Sequence, residues 1–144
     1  MTDSTATFTV GSDTDLAFYT NDTGHTYTKY FGNVLTVVAA GDYLYNASPT
    51  NASRYECNVT PASAEYDVQA DVISTVEWSG GISGRVVSAD SDEYTFVYEN
   101  SLWKLIRRDA GTSSTLATYS GDSTNGVSRT ALLQIRDGAK KGFV

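Results

Sequence analysis

From Ala64 to Val144 the sequence alternates apolar and polar residues in short runs, and turn-forming residues break every run. Residues at i and i+2 of an extended chain share a face, so a period of two calls for strands with one face covered. In Tyr66–Ile73, Tyr66, Val68, Ala70 and Val72 face one way, while Asp67, Gln69 and Asp71 face the other. Ile82, Gly84 and Val86 continue the inward set, followed by Tyr94, Phe96 and Tyr98, then Trp103 and Leu105, then Ala131, Leu133 and Ile135. Trp78–Gly81, Ala89–Asp92, Asn100-Ser101, Ala110–Thr112 and Asp137-Gly138 supply the turns. Turns at intervals of about 8–12 residues belong to sandwiches. The fold class read here is all-β: an antiparallel two-sheet β-sandwich with no helix longer than a turn.

The first part of the chain is less regular. Residues 1–10 read as a short strand with Phe8 and Val10 on one face. Residues 11–30 read as a long polar loop anchored by Leu16, Phe18 and Tyr19. Strands are expected over 33–39, 43–46 and 54–59, with a loop at 47–53 around Pro49. A length of 144 residues suits one domain, 1–144, with 1–30 as N-terminal strand and loop and 31–144 as the sandwich body. A chain of that size buries roughly 68–70% of its unfolded surface and needs no disulfide or metal to hold it.

The net charge of −7 repels phosphate backbones, which argues against nucleic acid as a partner. Lys104, Arg107 and Arg108 form the one basic cluster, read as a solvated strand face. Cys57 is the only cysteine, so no intrachain disulfide forms, and its place in a strand suits a buried structural thiol. The start MTDSTATFTV has neither a basic nor an apolar segment of a secretory signal. No apolar run approaches the ~20 residues of a helical membrane span. The sequons at Asn21, Asn46, Asn51 and Asn58 are expected by chance in a chain this rich in Ser and Thr.

The segments YDVQADV, ISGRVV, EYTFVYEN, WKL, LATYSG and RTALLQIRDG, in that order, resemble the concanavalin A-like lectin/glucanase jelly roll, with laminin-G-like members nearest. The loop NDTGHTYT leading to GNVLTV fits the same pattern, and the likeness spans about residues 5 to 144. In that family a strand such as Lys140–Val144 runs into a turn and a further strand that closes the sheet. The expectation is therefore a jelly roll lacking a closing C-terminal strand. Phe143 and Val144 would lie on an assembly edge, since an uncovered edge invites pairing.

The glucanase branch carries its carboxylates as E-x-D-x-x-E or a close variant on one strand. Retaining cleavage needs two carboxyls about 5 Å apart. Neither Glu65-Tyr66-Asp67 nor Asp90-Ser91-Asp92-Glu93 has that spacing, and Asp67 and Asp71 lie roughly 13 Å apart along a strand. No catalytic residue is nominated and no enzyme is expected. Asp90, Asp92 and Glu93 offer hard oxygens of the kind calcium takes, although Asp and Ser build such turns for local reasons too. No other cofactor is implied. Tyr43, Tyr45, Trp78 and Tyr119 are the aromatic candidates for a glycan platform, while Trp103 is assigned to the core.

Lectin-like domains resembling this one occur in bacteriophage structural proteins. The resemblance thus implies a non-enzymatic structural, decoration or adhesion protein on a capsid or tail surface. Its partners would be further copies of itself or other capsid and tail proteins, with host-surface glycans as possible ligands and the virion as its location. The alternative is a carbohydrate-binding module cut from a larger secreted, extracellular protein.

Overall fold

A computed structural model describes residues 4–46, 53–73, 80–87, 92–120, 126–137 and 139–144. The chain divides into two compact units, Met1–Ala62 and Ser63–Val144, a break that the one-domain reading did not draw. Both units are antiparallel β structures, and a 3-10 turn at Leu16–Phe18 is the only helical element among the described residues.

The first unit holds β1 (Thr14–Asp15), β2 (Tyr27–Phe31), β3 (Leu35–Val38), β4 (Tyr43–Asn46) and β5 (Arg54–Cys57). They form a three-stranded sheet ordered β1-β3-β4 and a two-stranded sheet β2-β5. Leu16, Tyr19 and Val37 are its buried centre, with Phe8, Leu35 and Leu44 packed around them. Tyr55 ties the two sheets together. Its hydroxyl donates to Asp15 Oδ1 at 3.1 Å and accepts from Leu35 N–H at 3.2 Å.

Residues 4–10 are not a strand, because Phe8 sits at φ 59° and turns the chain there. Its ring still packs on Tyr19, 5.6 Å between centroids. The expected loop anchors are Leu16 and Tyr19 only, since Phe18 is 82% exposed. The loop also contains a strand that the sequence hid, β2, whose pairing with β5 shifts register between Lys29 and Phe31.

The second unit is a two-sheet sandwich. It comprises β6 (Tyr66–Ile73), β7 (Gly80–Val87), β8 (Asp92–Glu99), β9 (Leu102–Asp109), β10 (Thr112–Tyr119), β11 (Ser128–Arg136) and β12 (Ala139–Phe143). One sheet is a meander ordered β10-β9-β8-β7, and the other is ordered β12-β11-β6. The hairpin turns have residues in the left-handed region, Asn100 and Ser101 (φ 52° and 62°) and Ala110 and Gly111 (φ 47° and 79°). Paired positive φ values match the twist of the strands they join. The inward residues Ile82, Phe96, Tyr98, Trp103, Leu105, Ala131, Leu133 and Ile135 form a single buried cluster. Alternation therefore placed the core of this unit correctly.

β6 and β11 pair in full register from Ser128↔Ile73 to Ile135↔Tyr66. Their solvent face is a polar ladder. Thr130 Oγ1 donates to Asp71 Oδ1 at 2.7 Å, Gln134 Nε2 donates to Asp67 Oδ2 at 3.4 Å, and Arg136 pairs with Asp67. Asp67 and Asp71 are thus occupied in cross-strand bonding.

Candidate functional site

The inner face of the second unit ends in an open cleft, built from β8, β9, β10 and β12. Phe96 of β8 and Trp103 of β9 stack at 4.9 Å, and Tyr98 meets the same indole edge-on at 5.5 Å. β12 crosses above this group at Gly142. A Cβ there would lie 2.6 Å from Cε2 and 2.7 Å from Cγ of Phe96, so only glycine lets the strand come this close. Lys140, one pleat earlier, places Nζ 5.4 Å from the centroid of the Tyr94 ring and donates to the Arg136 carbonyl at 2.7 Å.

Phe96, Trp103 and Leu105 form the bottom of a cleft of about 460 Å³, and Tyr119, Phe143 and Val144 form its rims. The rim residues are 56%, 46% and 44% exposed, whereas Trp103 is 1% exposed. The buried Trp103 Nε1–H finds no acceptor among the described residues. A buried donor in that state costs about 1–3 kcal/mol unless something supplies an acceptor.

Of the residues nominated from sequence, Tyr119, Phe143 and Val144 meet at this cleft. Tyr43 and Tyr45 lie elsewhere, side by side on the exposed face of β4 in the first unit, with Leu44 between them turned inward. Trp78 and Asp90 lie outside the described residues. Asp92 and Glu93 are successive residues of β8 and point to opposite faces. Asp92 Oδ1 accepts from Ala110 N–H at 3.2 Å, and Glu93 Oε1 lies 3.6 Å from Arg108 Nη1 across the strand pair. No three of His, Cys, Asp and Glu gather around a common point among the described residues. Sequence reasoning missed Phe96 and Leu105 as cleft floor, and Gly142 as the residue that lets β12 approach. A glycine inside an alternating strand is the signal that marks such a close approach.

No family model, curated protein or solved structure matches the chain. The likeness to the concanavalin A-like jelly roll therefore rests on strand and turn order alone.

Two other polar groupings serve the fold. Arg85, Arg107 and Arg108 gather with Asp92 and Glu93 around a cleft of about 330 Å³. Arg107 pairs with Asp109 and Arg108 with Glu93. In the first unit, Asn21 is 4% exposed and organises the NDTGHT loop. Its Oδ1 accepts from Thr23 N–H, Thr23 Oγ1 and His25 N–H at 3.1, 2.9 and 2.8 Å, and its Nδ2 donates to Ser4 Oγ at 2.6 Å. His25 is thereby a loop residue, held through its backbone. Cys57 is half-buried, with Sγ 3.2 Å from Ser4 Oγ.

Tyr27 stands in the same neighbourhood, stacked 6.2 Å from Tyr19. Burial pushes its phenol up to about 12, against an opposing hydrogen bond from the Asn21 side chain, with Cys57 and Tyr19 adding to the rise. The folded state thus holds a proton that the unfolded chain releases near pH 10. The stability that Tyr27 contributes is fully present below pH 10 and is lost as pH climbs from 10 through 12. Tyr55, raised chiefly by burial too, acts in the same direction. Urea unfolding at pH 9 and pH 11.5 is expected to show this loss, and Tyr27→Phe is expected to remove the larger share of it. An equal loss in the variant would mean that other groups carry the dependence.

Proposed function

We propose that this chain is a non-enzymatic assembly or adhesion module, carried on the capsid or tail surface of a virion, with a lectin-like sandwich as its scaffold. The observation that supports this reading is the cleft between β10 and β12. It joins an apolar floor, two sheet edges and exposed Tyr119, Phe143 and Val144 in one place. Such an edge is suited to completion by another polypeptide. The net charge of −7 agrees with a partner surface other than nucleic acid. No helix among the described residues is long and apolar enough to cross a membrane. The direct test is immunogold labelling of virions that encode the chain. Label on the capsid or tail is expected, and unlabelled virions would remove the reading.

A second reading, a carbohydrate-binding module from a larger secreted protein, is favoured by Tyr43 and Tyr45. They are 45% and 47% exposed on one strand face, roughly 7 Å apart. Aromatic faces at that spacing suit successive sugar rings. Glycan-array binding by a stable monomer, abolished by Tyr43→Ala together with Tyr45→Ala, would establish this reading over the first.

A further inference from the structure

The two sheets of the second unit differ in width, and the difference falls on one side. β6 packs on β7, and β11 packs on β7 and β8. Gly142 against Phe96, and Lys140 above Tyr94, set β12 over β8. β12 is the edge of its sheet there, whereas the wider sheet runs on through β9 to β10. β10 is therefore a ledge, and the place beside β12 is a recess. The cleft lies between them.

β10 bonds only to β9 and β12 only to β11 among the described residues. β10 is exposed at every position from Thr112 to Tyr119 and contains neither a charge nor a proline. Natural edge strands usually carry such features to block pairing. Its register shift falls between Thr115 and Ala117, which leaves Ala117–Tyr119 in regular ladder beside the cleft. β12 carries Lys140 and Lys141, but Lys140 is held inward by the Arg136 carbonyl and the Tyr94 ring.

We propose that a second copy of this chain fills the recess, the β10 ledge of each copy lying beside β12 of the other. A ledge and a recess left by the same overhang are self-complementary. A two-fold axis along the strands, midway between the layers, exchanges the sheets and brings the two together twice, as an isologous contact requires. A lone strand from another protein would pair with β12 and leave β10 unpaired. A second copy closes both edges on both chains. The incoming β10 is also chemically suited to the floor. Its sequence TSSTLATY brings no carboxylate into the contact. Because each chain carries −7 overall, added salt is expected to tighten the pair by screening its repulsion.

The proposal rests on the assembly reading above and names its partner. Sedimentation velocity on the full chain, over a wide concentration range and at low and high salt, tests it. The expected result is a reversible monomer–dimer equilibrium that strengthens with salt. Tyr119→Lys and Phe143→Lys, both at exposed positions, are each expected to weaken the dimer at least about tenfold, which is ~1.4 kcal/mol. Far-UV circular dichroism checks that both variants stay folded. A monomer at every concentration overturns the proposal, as does a dimer that neither substitution weakens. Labelled virions together with a strictly monomeric protein would leave the assembly reading standing and remove the second copy as the occupant.

Discussion

Replacing Trp103 with alanine is expected to cost the second unit about 3–5 kcal/mol, the range for deleting a large aromatic from a packed core. Trp103 is 1% exposed and in ring contact with both Phe96 and Tyr98. No neighbouring strand can fall inward to fill the space, because β8 and β10 on either side are fixed by ladder bonds to β9. Trp103→Phe is expected to cost much less. It keeps the stack on Phe96 and removes an indole N–H that has no acceptor among the described residues. Urea unfolding followed by far-UV circular dichroism separates the two variants. A loss below ~1 kcal/mol for the alanine variant would show that this indole does not anchor the core.

Gly81→Ala is expected to cost about 1–3 kcal/mol, with a fall in melting temperature of roughly 4–12 °C. A Cβ at Gly81 would run into the Phe96 carbonyl oxygen and come within 2.7 Å of Val97 Cα on the adjoining strand. Those are backbone atoms of β8, so no side-chain rotation relieves the clash, and β7 must move away from β8. Gly142 approaches the same residue from the opposite sheet, but there the obstacle is the Phe96 ring. Gly142→Ala therefore separates the layers, whereas Gly81→Ala separates strands within a layer. Calorimetric scans of both variants measure the costs, and an unchanged melting temperature for Gly81→Ala would show that this strand pair is looser than its contacts imply.

The sandwich of the second unit was legible because β6, β8, β9 and β11 each have one covered face, and a covered face writes a period of two into the sequence. The turns at Asn100-Ser101 and Ala110-Gly111 were legible from residue types that bear positive φ. In β2, aromatic residues stand at 27, 30 and 31, and the register shift after Lys29 disrupts the alternation. Phe8 was misplaced for a related reason: a left-handed φ at an aromatic residue leaves no mark in composition. At the candidate site, Phe143, Val144 and Tyr119 could be nominated from the chain alone. Their meeting over Trp103 could not, because alternation tells which residues share a face and not whether a second layer covers that face. β10 shows this limit directly, since its sequence TSSTLATY forms a full-length strand that is exposed throughout.

That exposure separates two demands usually imposed on the same residues. Strands such as β11, with Ala131, Leu133 and Ile135 fully buried, must keep their side chains for the fold to exist. β10 donates ladder bonds to β9 and no member of the buried cluster. Its side chains can drift, or be redesigned, with little effect on whether the chain folds. Under the pairing proposed above, changes in β10 would alter association before they alter stability, so this strand is the natural place to retune it without rebuilding the molecule.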